Sequence, residues 1–240
     1  MKFLVSSTLR NFWEGEIIVF RESDVPLNKV ERKNVTEKIV HNTLPPEYAA
    51  DVDYLADLSK REFLFQLDSQ IAEKSREGWL LIVDAATLIQ RNIEHLFPDQ
   101  DEAENGFRSP PVDLLWAPSR GGGARESEGA SIGFFAIRAR LLADFLSLWK
   151  KLHKKNNLCY TSSEILLQAI RKSELNHGKF EKGEVLEVDA EAMNWNDMQR
   201  AAVLTFPAWK HEDQVSIIQS LYFGMFYGDQ TGLLVNMLEA

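Results

Sequence analysis

The chain of 240 residues has a single cysteine, Cys159, which excludes an intramolecular disulfide and a zinc site built from thiolates. No apolar run approaches the ~18 to 20 residues of a membrane span, and Met1 to Val5 is too short for a signal peptide. Basic residues are scarce. Lys+Arg 27 against Asp+Glu 36 leaves a net charge of −9, which argues against nucleic-acid binding because phosphate contact needs a basic surface. Internal repeats and low-complexity tracts are missing as well. Gly121-Gly122-Gly123 fits neither a Walker nor a Rossmann fingerprint and reads as a flexible loop. His153 and His177 have no partners at metal or triad spacing. The expectation is a soluble, cytoplasmic protein without a transmembrane segment. Its length and its 45% hydrophobic content suffice for one large core.

What is present alternates between strand and helix patterns. Gly78 opens the run Trp79 to Val83, apolar on both faces and so expected inside a sheet, and the run ends at Asp84. An amphipathic segment ending in Leu96-Phe97 follows. Phe63, Leu67 and Ile71 predict a helix over 58–76, and Leu142, Phe145 and Trp149 predict another over 141–152. Thr161-Ser162-Ser163-Glu164 is a capping-type start for a helix over 165–172, and 214–227 is a further apolar helix. Strands are expected at 16–20, 113–117, 132–137, 185–188 and 202–206. This order predicts an α/β domain with a mainly parallel, doubly wound sheet, which binds ligands beyond the carboxyl ends of its strands. Asp84 occupies such a position. A carboxylate ending a buried strand must be hydrated, hydrogen-bonded or paired, so Asp84 either caps the next turn or meets a ligand.

The segment Gly78 to Phe97, GWLLIVDAATLIQRNIEHLF, resembles the metal-binding strand end of retaining glycosyltransferases, LxLDADTLVxxNIxxLF. Leu4 to Phe20 resembles that group's helix leading into its second strand. Ser131 to Ile137 resembles NSGVFVI, and Ser163-Glu164 with Leu166 and Gln168 resembles DExxLQ. Val203 to His211 resembles iiHfxGxxK. Taken in order, these segments are similar to family 8 glycosyltransferases, the glycogenin and bacterial lipopolysaccharide sugar transferase group. The resemblance implies a GT-A-like fold with a mixed, mainly parallel sheet flanked by helices. It also implies a single domain over 1–240 that starts after the position of the family's amino-terminal, base-binding strand, either because the start is misplaced or truncated or because that strand was lost. The implied activity is hexose transfer from a nucleotide diphosphate sugar to a glycan or protein acceptor of unspecified identity.

Departures from the pattern fall on the chemistry. In the family a cation, usually manganese, bridges the donor diphosphate to two aspartates and a later histidine. Asp84 matches the first aspartate, but Ala86 replaces the second and Thr205 stands at the histidine. A carboxylate and a neutral hydroxyl are a poor set for a hard cation, so no metal is expected. The diphosphate charge would then fall to Lys210 and His211, with Lys60 and Arg120 the other bases that the resemblance brings near the strand ends. Arginine clamps phosphate oxygens in pairs, while the plainer reading of Arg120 is a charge on a solvated loop. Ser131, Glu164, Trp195 and Trp209 are candidate sugar or acceptor contacts, although tryptophans are more often core. Two functions stay open: a metal-independent transferase, or a catalytically silent relative that binds a nucleotide or glycan or serves as an interaction module.

Overall fold

A computed structural model describes residues 17–21, 35–39, 78–84, 86–97, 111–120, 128–156, 162–181, 183–188, 194–206, 213 and 216–222. The helix expected over 58–76 lies outside them. Among the described residues nine strands run in chain order as β1 (Ile17–Arg21), β2 (Val35–Ile39), β3 (Trp79–Val83), β4 (Thr87–Ile89), β5 (Leu114–Arg120), β6 (Glu128–Arg138), β7 (His177–Lys179), β8 (Val185–Glu187) and β9 (Val203–Thr205). The described α-helices are α1 (Leu142–Asn156), α2 (Ser162–Lys172) and α3 (Trp195–Arg200), and residues 216–222 are also helical. No helix among the described residues is long and apolar enough to cross a membrane.

The strands form three sheets. β3-β6-β5-β7 is four-stranded, β4-β9-β8 is three-stranded, and β1 pairs with β2. The mainly parallel expectation is corrected. β6 runs antiparallel to both β3 and β5, and β4 runs antiparallel to β9, whereas β1-β2, β5-β7 and β8-β9 are parallel. Hydrophobic periodicity reports that a strand is buried and says nothing of its direction, so the parallel expectation rested on element order alone and failed.

A second difference concerns β3, which stands at the end of its four-stranded sheet among the described residues. Its apolar run has another cause: both faces are covered. Ile82 packs into the core beneath the helices, while Trp79, Leu81 and Val83 pack into the core between the two larger sheets. Gly78, at φ 99°, supplies the left-handed residue that turns the chain into the strand.

Layering follows from residue alternation. Leu114, Trp116, Phe135 and Ile137 face α1 and α2, and Leu115, Ala117, Phe134 and Ala136 face the three-stranded sheet. On α1 the buried stripe Leu142, Phe145, Leu146, Trp149 and Leu152 keeps helical spacing. Trp149 is fully enclosed and meets Phe135 edge-on at 6.2 Å. Ile89 and Val203 belong to the inner core, whereas Leu88, Leu204 and Phe206 pack outward against α3 and the 216–222 helix. The three-stranded sheet thus buries both faces.

Candidate functional site

Asp84 follows β3 directly. Its backbone N–H donates to Gly133 O at 2.9 Å, and its Oδ1 accepts from the Ala86 N–H at 3.2 Å. The half-buried carboxylate therefore caps its own turn in an Asx-type contact and still borders a neighbour. A Cβ added at Gly133 would meet Asp84 Cβ at 3.4 Å, Ser131 Oγ at 3.6 Å and Asp84 Oδ2 at 3.9 Å. Glycine at 133 leaves that space open, and Ser131 and Asp84 border it from two sides.

An irregularity in β6 aims these residues. Its register on β5 shifts between Trp116 and Pro118, and Pro118 has no N–H to offer the ladder. Bulges of this kind re-aim side chains beside functional sites. Below the shift, Ser119 pairs with Gly129. A Cβ on Gly129 would sit 2.8 Å from Ser163 Cβ, so the amino end of α2 abuts the same strand end. Glu164, half-buried in the first turn of α2, is therefore at the carboxyl end of β5.

The three-stranded sheet adds a polar row at this end. Thr87 of β4 is opposite Thr205 of β9, which is beside Glu187 of β8. Phe206 N–H donates to Ala86 O and Gln90 N–H to Ala202 O, so by alternation Thr87 and Thr205 form a non-hydrogen-bonded pair with closely spaced side chains. All three residues share the inner face with Ile89, Val203 and Val185. Ser119 Oγ reaches across from the other sheet and donates to Glu187 Oε1 at 3.3 Å. The Oγ1 atoms of Thr87 and Thr205 are buried and have no hydrogen-bond partner.

Trp195 opens the helix that joins β8 to β9. β8 and β9 are parallel neighbours joined by α3, so α3 starts near the carboxyl end of β8 and finishes at the amino end of β9. Asn194 Oδ1 accepts from the N–H groups of Asn196 and Asp197, which fixes the helix start. Trp195, 38% exposed, is the large hydrophobic residue left uncovered among the described residues.

Asp84, Ser131, Glu164 and the backbone of Arg120, last residue of β5, thus lie toward one end of the four-stranded sheet, and among the described residues no hydrogen bond or ring contact ties Trp195 to them. Lys60, Trp209, Lys210 and His211 lie outside the described residues. Glu187, Thr87 and Ser119 escaped the sequence reading. The available signal was parity: in Val185-Leu186-Glu187, glutamate takes the inner-face position set by Val185.

The family's metal ligands do not fit here. Ala86 packs in the outer core with Leu88, Leu204 and Phe206, while Thr205 is on the inner face beside Thr87. The two positions that the resemblance assigns to one ion face opposite sides of a sheet. Among the described residues no group of three or more His, Cys, Asp or Glu is placed to hold a metal ion.

No family model and no curated protein sequence matches the chain. Among solved structures it is similar to a glycosyltransferase involved in glycosylation of the major capsid of PBCV-1. The TM-score is 0.52 at 8% identity, over 78% of this chain and 83% of that one. The fold is glycosyltransferase-like. At that identity the likeness concerns architecture alone.

Proposed function

We propose that the chain, acting as one unit over 1–240, binds a nucleotide diphosphate sugar and transfers its hexose to a glycan or protein acceptor. The observation that carries this reading is Asp84. It ends a half-buried apolar strand, at the strand end where such folds bind ligands, in a domain whose architecture is similar to that of a glycosyltransferase. The finer assignment to family 8 rests on sequence segments alone. The end position of β3 weighs against it.

In this reading no cation sits at Asp84. The carboxylate accepts hydrogen bonds from sugar hydroxyls, and the diphosphate is met by Lys210 and His211, with Lys60 or Arg120. Charge-assisted contacts of this kind stabilise a departing phosphate as it gains charge. Losing one typically costs about 1.5–3 kcal/mol, so Lys210→Ala should weaken donor binding roughly ten- to a hundredfold with little change in melting temperature.

The test is a thermal-shift screen of nucleotide sugars with and without manganese. A ligand at a hundredfold excess over its Kd stabilises by about 2.7 kcal/mol. A flat response to every donor would overturn the reading.

A catalytically silent relative that keeps the binding cleft is the second reading. It is favoured by Ala86 and Thr205, whose side chains point to opposite faces and leave the family's ion without its ligands. Donor binding without transfer to any acceptor and without donor hydrolysis would decide for it.

A further inference from the structure

Buried hydroxyls seldom go unpaired, because each one left without a partner costs about 1–3 kcal/mol. Here two stand next to each other. Thr87 and Thr205 are 0% and 2% exposed, face the same side of their sheet, and have no hydrogen-bond partner at either Oγ1. The row continues to Glu187, a partly exposed carboxylate held by Ser119 from the opposite sheet. If this seam served packing alone, valine in place of threonine would fill the same volume without the cost. Its polarity at the ligand-binding end of the strands therefore points to a ligand.

We propose that Glu187, with Thr205, Thr87 and Ser119, forms a subsite that recognises the sugar ring of the ligand. The inference rests on the donor-binding reading above and adds residues that the family resemblance does not assign. A carboxylate accepts hydrogen bonds from ring hydroxyls and repels phosphate, so Glu187 selects a neutral polyol over the diphosphate. Glu187 is the partly exposed member of the row, with Oε1 held by Ser119 and Oε2 buried. The threonine hydroxyls behind it are enclosed and are completed by a water that follows the ring into the seam. Such a water needs two to four polar partners, and the row offers three.

The experiment compares the full chain with Thr205→Val, Glu187→Gln and Thr205→Ser. Melting is measured without ligand, and titrations use uridine diphosphoglucose and uridine diphosphate. The quantity read is the preference for the sugar-bearing form. Thr205→Val should raise the ligand-free melting temperature, by removing an unpaired buried hydroxyl, and reduce the preference about three- to tenfold. Glu187→Gln should reduce it about ten- to a hundredfold, and Thr205→Ser, which keeps the hydroxyl, should retain it. A wild-type preference unchanged in Thr205→Val and Glu187→Gln overturns the subsite and leaves donor binding standing. Equal wild-type affinity for the two probes overturns the subsite as well. If the wild type binds neither probe nor any other nucleotide sugar, the donor-binding reading falls and takes the subsite with it.

Discussion

The two ends of the three-stranded sheet are finished in opposite ways. At the amino ends of β8 and β9 the polar groups interlock. Gln90 Nε2 donates to Met198 O at 2.7 Å and to Ala201 O at 2.9 Å, closing the carboxyl end of α3. Arg91 donates to Arg200 O and to Glu184 Oε2, and His95 approaches the same carboxylate. At the carboxyl ends Thr87 and Thr205 leave two hydroxyls unmet, and Glu187 is tied from the other sheet. Backbone pairing is continuous between them, so the contrast comes from side chains. Among the described residues one end is interlocked by side chains, and the other keeps two buried hydroxyls without a hydrogen bond. Sites that bind ligands are expected at the less satisfied end, since pre-paired groups have nothing to offer a ligand.

Three substitutions sharpen this comparison. The largest effect is expected from Ala86→Asp, which restores the family's motif in sequence but places a charge in the outer core, where Ala86 is 9% exposed beside Leu88 and Phe206. An uncompensated buried charge should cost about 3–5 kcal/mol in chemical denaturation, and manganese should not recover it. Recovery of stability on adding manganese would show that the position can reach an ion after all, and would reopen the metal-dependent mechanism.

Gln90→Ala comes next. It strips two carbonyls at the end of α3 of their donor, and about 1–3 kcal/mol of stability should be lost. Donor affinity should hold, because the change is at the far end of the strands. A weakened Kd with stability intact would mean that the two ends are not separate in function.

Arg91→Ala should do least. Its ion pair with Glu184 spans 3.1 Å, but Arg91 is 49% exposed, and solvent-screened pairs contribute about 0–1 kcal/mol. The lost bond to Arg200 O is at the surface too and can be replaced by water. A larger loss in the same denaturation series would assign the closed end a rigidity beyond its hydrogen bonds.

Much of the fold was legible as pattern. The strand expected at 79–83 forms at those residues, and the helices expected over 141–152 and 165–172 form as Leu142–Asn156 and Ser162–Lys172. Strong periodicity carried these elements, and pairing or capping merely extended their ends. The segment after Asp84 was harder. It splits into the short strand β4 and a single turn at Glu94–Leu96, each too brief to leave a period in the sequence. β7, at His177–Lys179, is likewise defined by its parallel pairing with β5 and not by its composition.

The candidate site divides along the same line. By itself the sequence determined that an aspartate ends an apolar strand, that alanine stands two residues after it, and that strand and helix patterns alternate around it. These are local facts, set by residue type and by spacing of a few residues. Tertiary structure alone decided that β6 runs antiparallel through the sheet, that Ala86 and Thr205 face opposite sides, and that Glu187 joins Thr205 and Thr87 in one row. Pairing between strands that are not adjacent in the local pattern, as between Thr87 and Thr205, sets those outcomes, and moving a strand by one residue sends every side chain to the other face.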